Sequence, residues 1–367
     1  MKKLTIILVF ILSFAALSAQ AVTEGADVPS THIITDHTGR QVEVPSDIQR
    51  IAVTGIYPLP SVLTVFFNSA EKIVSMNTPS LSAAKAGLLG KLYPEILNVS
   101  DKPVGTGAIN VEELLNAKPD VVFYSTLGQG EAIRAAGIPA VCLSVDKWDY
   151  NVIETLDNWL DLLADMFPQD AAKAQKVHER SMQAYDLVQQ RVKDIPQEER
   201  ARLFFLFQYS ATAMQTSGKH FWGQWWAQAV GAINVAQDID VNAGAPVNLE
   251  QVYAWNPDAI LITNFTQVQP AGLLSGKVFE DDWSGIKAVK DGRVYKMPLG
   301  MYRSFLPGVD TPITLLWLAK TVYPALFGDI DITSFASEYY SDVFGVNLTT
   351  EQIESIFAPP SSAAQGL

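Results

Sequence analysis

Cysteine, histidine and long apolar runs are all scarce in this sequence of 367 residues. The single cysteine, Cys142, excludes an internal disulfide framework, so stability must come from apolar burial. Its apolar neighbours in the run 140–143 indicate a core position. The histidines are too dispersed for a bare zinc or manganese site, which would gather several of them with carboxylates. These histidines are His32, His37, His178 and His220.

Positive charge is also in short supply. Lysine and arginine number 26 against 39 aspartates and glutamates, which gives a formal net charge of −13 and a pI near 4.7. Binding to a nucleic acid or to an anionic membrane surface requires a basic face. The composition therefore disfavours both kinds of partner.

The sequence also lacks the common catalytic motifs. It contains no Gly-x-Ser-x-Gly elbow, no His-Glu-x-x-His pair and no Gly-x-x-x-x-Gly-Lys-Ser/Thr phosphate loop. We therefore predict no catalytic residues, no metal site and no resident cofactor. A secreted hydrolase stays open as the alternative from another class, because carboxylates are plentiful enough to form a catalytic pair.

The first residues have the pattern of a secretory signal. Lys2 and Lys3 precede an apolar stretch at 4–17, which ends in the small-residue run Ser18-Ala19-Gln20-Ala21. This stretch is shorter than the roughly 20 residues that cross a bilayer, and no later segment is continuously apolar for that length. We expect cleavage near Ala21 and a periplasmic, monomeric mature protein.

Apolar runs of strand length alternate with helical patterns, which favours an α/β fold with mostly parallel sheets. Strands are predicted at 50–54, 73–75, 121–124, 140–143, 203–207, 259–262 and 293–296. A long amphipathic segment at 169–193 would form a helix of roughly 37 Å, long enough to connect two domains. We divide the chain into a signal peptide at 1–21, an N-terminal lobe at 22–165, a linking helix at 166–196 and a C-terminal lobe at 197–367.

An internal repeat supports two similar lobes, because segment 109–123 resembles segment 247–261. Asn, Glu, Pro and Asp recur at one fixed offset, as Asn110 and Asn248, Glu112 and Glu250, Pro119 and Pro257, and Asp120 and Asp258. Each copy predicts a helix with Asn as N-cap and Glu in its first turn, followed by a Pro-Asp turn into a buried strand.

In their order along the chain, these segments resemble the periplasmic binding proteins of iron-siderophore, haem and vitamin B12 ABC importers. The resemblance also covers the opening hairpin and strand at 34–45 and 49–53, Thr216-Ser217-Gly218-Lys219, and the segment 283–295. It implies two α/β lobes joined by one rigid helix, with the ligand between them. It further implies that Glu112 and Glu250, one on each lobe, dock onto arginines of the permease dimer, which works with an ATPase.

Ligands of open α/β sheets bind beyond the carboxyl ends of the strands, so the loops that follow the predicted strands are candidate ligand-binding segments. Aromatic residues cluster there, which suits a bulky organic ligand. Arg303 lies where the resemblance implies an arginine that faces an anionic ligand, and a guanidinium can bind such a group through two hydrogen bonds. The candidate ligand-binding residues are Tyr57, Thr106, Trp148, Tyr209, His220, Trp222, Phe265, Tyr302 and Arg303.

A metal enclosed in a chelator needs no cluster of histidines. The first-choice ligand is therefore a metal chelate, specifically a ferric siderophore. Cobalamin, haem, a nickel chelate and an oxyanion such as molybdate or tungstate are the alternatives.

Overall fold

The computed structural model describes residues 30–105 and 108–365. The predicted signal at 1–21 and the candidate Thr106 lie outside these residues. Among the residues described, no helix combines the length and the apolar composition that crossing a membrane requires.

The first lobe contains a hairpin and a sheet whose strands alternate with helices. Its strands are β1 (Thr31–Thr35), β2 (Gln41–Pro45), β3 (Ile51–Val53), β4 (Ile73–Ser75), β5 (Val121–Tyr124) and β6 (Ala140–Cys142). Its helices are α1 (Leu59–Phe67), α2 (Thr78–Ala86), α3 (Leu89–Leu92), α4 (Val111–Ala117), α5 (Leu127–Ala135) and α6 (Val152–Met166), with a 3₁₀ turn at Pro94–Asn98. The sheet has the order β4-β3-β5-β6, and every pairing in it is parallel.

The linking helix α7 (Ala172–Val192) leads into a second lobe with more strands. These are β7 (Arg202–Tyr209), β8 (Met214–Ser217), β9 (Ile233–Asn234), β10 (Gly244–Val247), β11 (Ala259–Ile262), β12 (Lys277–Val278), β13 (Asp281–Asp282) and β14 (Val294–Lys296). The helices are α8 (Trp222–Ala229), α9 (Leu249–Trp255), α10 (Pro270–Leu274), α11 (Lys287–Lys290), α12 (Thr311–Val322), α13 (Ile332–Phe344) and α14 (Thr350–Phe357). Further 3₁₀ turns lie at Pro168–Asp170, Gln197–Glu199 and Ser361–Ala364.

The α/β fold predicted from the alternating pattern is confirmed. Strands β5 and β11 are buried along their whole length, as expected where helices cover both faces of a parallel sheet. The second sheet is mixed, however. β7 pairs in parallel with β9 and β11, and β14 pairs in parallel with β11, but β8 and β10 add two antiparallel pairings at one edge.

Helix α7 contributes to the cores of both lobes. Near its start, Val177 joins the apolar cluster of the first lobe, whereas Val188 and Val192 near its end join a cluster of the second. Its apolar stripe therefore packs on two separate cores, as a connecting helix should.

The C-terminal helices return to the first lobe. Tyr339 and Phe344 of α13 and Ile356 of α14 belong to the same buried cluster as Val53 and Phe123 of the first sheet. The division into lobes at residues 165 and 197 stays a prediction, and residues 332–357 pack on the first core although they follow the second sheet.

Candidate ligand-binding site

The loops at the carboxyl ends of the strands enclose a cavity of about 190 Å³ between the lobes. The first lobe supplies the loop after β3, the loop after β6 and one side chain of α6. The second lobe supplies β7, the start of α8 and the loops after β11 and β14. The lining residues are Gly55, Tyr57, Pro58, Val145, Tyr150, Trp159, Phe207, Phe221, Trp222, Phe265, Leu306 and Pro307.

Three of the predicted aromatic residues, Tyr57, Trp222 and Phe265, come together in this cavity. Trp222 and Phe265 are nearly fully buried, and Tyr57 is half-buried. Tyr150 packs edge-on against Trp222 with 4.8 Å between ring centroids, which joins the aromatic walls of the two lobes.

Phe265 also borders a second, more polar pocket of about 440 Å³ on the second lobe. Tyr209 lines that pocket, and its hydroxyl donates to the Asp281 carboxylate at 2.5 Å. Burial is the main reason why the pKa of Tyr209 is raised well above its usual range. The other polar side chains of the wall are Gln208, Ser210, Gln215, Thr266 and Gln267.

Arg303 is fully buried beside the cavity wall. Its guanidinium lies over the rings of Phe265 and Tyr302, with its central carbon 5.0 and 5.5 Å from their centroids. Nε donates to the carbonyl of Ala363 at 2.9 Å, Nη2 to that of Gln365 at 3.3 Å, and Nη1 to the hydroxyl of Tyr302 at 3.2 Å. Burial raises the pKa of Tyr302 to about 12, so its hydroxyl stays protonated at neutral pH.

A second buried basic side chain, Lys296, holds the loop that carries Phe265. Its ammonium donates to the carbonyls of Thr266 and Val268 at 2.7 and 2.8 Å. Desolvation lowers the pKa of Lys296 to about 7. In the part of the chain that the structure describes, neither Lys296 nor Arg303 has a carboxylate within 4.0 Å.

Several buried polar side-chain atoms have no hydrogen-bond partner among the described residues, and among them are two donors in loops that follow strands. The amide nitrogen of Asn77, which follows β4, and the hydroxyl of Ser304, which follows Arg303, are both unpaired among the described residues. Such groups are costly to bury unless something hydrogen-bonds to them. Both can donate to an anion.

Two of the predicted ligand residues make contacts outside the cavity. Trp148 is half-buried and packs edge-on against His37 at 4.9 Å. His220 lies between two carboxylates, with Nδ1 2.8 Å from Asp149 and Nε2 3.3 Å from Asp240. Asp149 belongs to the first lobe, so this contact joins the two lobes. No group of three or more potential metal ligands occurs within residues 30–105 and 108–365.

The predicted docking glutamates occupy equivalent positions on the two lobes. Glu112 lies in the first turn of α4 and Glu250 in the first turn of α9, and both are exposed. Leu115 and Tyr253, three residues further along, are also exposed, by 47% and 39%. Each helix therefore presents a carboxylate next to an apolar side chain.

Trp159, Phe207 and Lys296 belong to the site but have no sequence signal that separates them from core residues. Trp159 lies in an amphipathic helix, and the other two lie within strands. Asn77 had such a signal, since it follows β4 after one intervening residue and caps α2. The expectation that ligands bind beyond the carboxyl ends of strands applies to Asn77 as well.

Residues 93–299 match the family model described as "Periplasmic binding protein". The molybdate-binding protein MolA of Haemophilus influenzae is 28% identical over 340 residues, which cover 85% of this chain and 90% of MolA. The solved structure of MolA bound to molybdate has a TM-score of 0.72 at 25% identity, and the match covers 87% of this chain and 99% of the MolA chain. A periplasmic solute-binding protein of Veillonella parvula has a TM-score of 0.78 at 26% identity and covers 92% and 100%.

The family match covers more than half of the chain, and the geometry of the fold agrees with this family. Two α/β lobes meet at the carboxyl ends of their strands, and the cavity lies between them. The chain belongs to the periplasmic binding protein family, as a solute-binding protein of an ABC transporter.

Proposed function

We propose that this protein captures a small anion, a metal oxyanion such as molybdate or tungstate, in the cavity between its lobes and delivers it to an ABC permease. The observation that carries this proposal is the fully buried guanidinium of Arg303 beside the cavity, which has no carboxylate partner among the described residues. A buried cation of this kind is stabilised by an anionic ligand.

The electrostatics of the second lobe support an anionic ligand. The protein as a whole carries a net charge of −13, yet Arg303 and Lys296 are both buried around the Phe265 loop with only neutral partners. Asn77 and Ser304 are further buried donors without a hydrogen-bond partner among the described residues, although the cavity wall does not include them. A tetrahedral oxyanion accepts hydrogen bonds in several directions, so it suits such a set of donors.

The size of the cavity favours an oxyanion over the first-choice ferric siderophore. At about 190 Å³ it is below the roughly 300–1,000 Å³ of pockets that enclose drug-sized ligands. A tetrahedral oxyanion needs the space of only a few water molecules, each about 30 Å³. The similarity to a protein named for molybdate binding points in the same direction.

A metal chelate, such as a ferric siderophore, is the second candidate. The pocket of about 440 Å³ beside Phe265 supports it, because this pocket is large enough for part of a chelate and offers several amide side chains. A chelate would extend from this pocket toward the aromatic wall of the cavity.

For delivery, we propose that α4 and α9 dock on the two halves of the permease dimer. Glu112 and Glu250 would pair with basic residues and fix the orientation, since charge pairs set register and encounter rate more than affinity. Exposed Leu115 and Tyr253 would add apolar contact beside each carboxylate.

Calorimetric titration of the mature protein with molybdate, tungstate, sulfate, ferric siderophores, haemin and cobalamin tests the proposal. We expect saturable binding of molybdate or tungstate. Replacing Arg303 with alanine should weaken it by about 100-fold or more, because charged hydrogen bonds are lost. Arg40→Ala is the matched control, since Arg40 is exposed. Binding of a siderophore without either oxyanion, or an unchanged affinity in Arg303→Ala, would contradict the proposed ligand.

A further inference from the structure

The segment 361–365 lies where a ligand of Arg303 would be expected. After α14, the chain forms the 3₁₀ turn Ser361–Ala364, which packs against α2 of the first lobe. On its other side, Ala363 and Gln365 contact Arg303 of the second lobe through their carbonyl groups. Ala364 also forms part of the wall of the 440 Å³ pocket.

We propose that residues 361–365 are a built-in competitor for the anion, which must leave Arg303 before the ligand can bind there. This inference rests on the proposed function. Two of the three guanidinium nitrogens donate to carbonyls of this segment, and the third donates to Tyr302. The segment thus occupies the Nε–Nη2 edge of the guanidinium, one of the edges through which an arginine can form a two-point contact with an anion.

The contact has the properties of one that a ligand can displace. A carbonyl is a neutral acceptor, so an anion forms stronger, charge-assisted hydrogen bonds with the same nitrogens. The segment itself is weakly held, because its buried side chains are only the methyl groups of Ala363 and Ala364. Ser361 and Ser362 are exposed, and neither side chain has a hydrogen bond within the described residues.

Competition of this kind lowers the apparent affinity by the fraction of molecules in which the segment is released. It also selects ligands. A neutral solute cannot recover the lost guanidinium contacts, whereas a dianion can. The segment would therefore sharpen the preference for strongly charged small ligands.

A pair of opposite charges at one position tests this mechanism in the full chain. Gln365→Lys places an ammonium on the exposed residue whose carbonyl accepts from Nη2, so repulsion should release the segment and strengthen molybdate binding about tenfold. Gln365→Asp supplies a competing carboxylate and should weaken molybdate binding by a similar factor. Ser362→Ala is the matched control and should stay within about twofold. A purely structural role for the segment would make both charged variants change the affinity in the same direction, and that result would overturn the proposal.

Deletion of residues 361–367 gives a second test with a readout that needs no ligand. Phenylglyoxal modifies accessible arginines, and peptide mapping by mass spectrometry identifies Arg303. We expect Arg303 to be protected in the full chain and to react in the shortened one. If no oxyanion binds to either form, the proposed ligand fails, but the labelling still decides whether the segment covers Arg303. Equal protection of Arg303 in both forms would overturn the proposal that the segment competes for this arginine.

Discussion

At the residue scale, His37 fixes a loop of the cleft because it is neutral. Its Nδ1 accepts from the backbone N–H of Ser144 at 3.1 Å, and its Nε2 donates to the carbonyl of Asn158 at 3.2 Å. An imidazolium has no acceptor nitrogen, so protonation would break the first bond. Burial is the main reason why the pKa of His37 is lowered to about 4.

We predict that His37 makes the fold less stable in acid. Between pH 6.5 and about 4 the unfolded chain binds a proton at this histidine and the native chain does not, so the free energy of unfolding falls as pH falls. The slope from one group is at most about 1.4 kcal/mol per pH unit. Urea unfolding of the wild type and of His37→Phe at several pH values should show a smaller slope in the variant. His32→Asn is the control, and an equal slope in all three proteins would refute the prediction.

Single residues also show the limit of sequence reasoning. Arg303 could be predicted as a site residue because its place after a strand end is a local property. The carbonyl groups that contact Arg303 could not be predicted, because they belong to residues about 60 positions away in the sequence. His220 likewise follows a strand in sequence, but its carboxylate partners are supplied by separate loops.

At the element scale, the two copies of the internal repeat fold into equivalent units. Asn110 and Asn248 each cap a helix by accepting a backbone N–H, and each helix ends at a residue with positive φ, Lys118 or Asn256. The aspartate of each Pro-Asp turn then accepts from backbone N–H groups at the start of β3 or β7. Caps and turns depend on neighbouring residues, so the sequence predicts them well.

We predict that charge reversal at the starts of α4 and α9 uncouples binding from transport. Glu112→Lys with Glu250→Lys should leave the affinity for the ligand within about twofold, because both side chains are exposed and outside the cavity. Uptake into proteoliposomes that contain the cognate transporter should fall by at least about tenfold, since two charge pairs are replaced by repulsion.

The control for this pair is Glu131→Lys with Glu280→Lys, which changes the net charge equally at exposed positions elsewhere on the surface. Uptake should be almost unchanged in the control. Equal loss in both double variants would mean that overall charge, rather than docking by α4 and α9, governs transport.

The antiparallel edge of the second sheet was harder to predict than the internal repeat. β8 is short and polar in sequence, Met-Gln-Thr-Ser, and β10 contains a proline and a glycine. Neither segment has the apolar run that identifies a buried strand. Their pairing depends on tertiary contacts, which override weak local preferences.

At the scale of the whole molecule, the internal repeat and the long amphipathic segment were sufficient to predict two lobes and a linking helix. The return of α13 and α14 to the first core was not predictable. An amphipathic helix shows which of its faces is buried, but nothing in its period says which lobe covers that face. The cavity could not be predicted for the same reason, since its walls come from both lobes.

Contacts outside the linking helix also hold the lobes together across the cleft. The hydroxyl of Tyr150 donates to the carbonyl of Asn242 at 2.8 Å, and Asp149 pairs with His220. Asp149 and Tyr150 both have positive φ, at 47° and 56°, which costs a non-glycine residue on the order of 1–3 kcal/mol. The loop keeps this strained conformation while its side chains reach the second lobe.

We predict that these contacts slow the release of ligand. The exposed contact between Asp149 and His220 contributes about 0–1 kcal/mol and the partly buried hydrogen bond of Tyr150 about 1 kcal/mol, so Asp149→Ala with Tyr150→Phe should shift the open–closed equilibrium roughly tenfold. Opening precedes release, so the dissociation rate should rise by about the same factor, while the association rate changes little. Stopped-flow measurement of tryptophan fluorescence can follow this step, because Trp159 and Trp222 line the cavity. Lys219→Ala, at an exposed neighbouring position, is the control. An unchanged dissociation rate in the double variant would mean that the linking helix and the cores alone set the closure of the lobes.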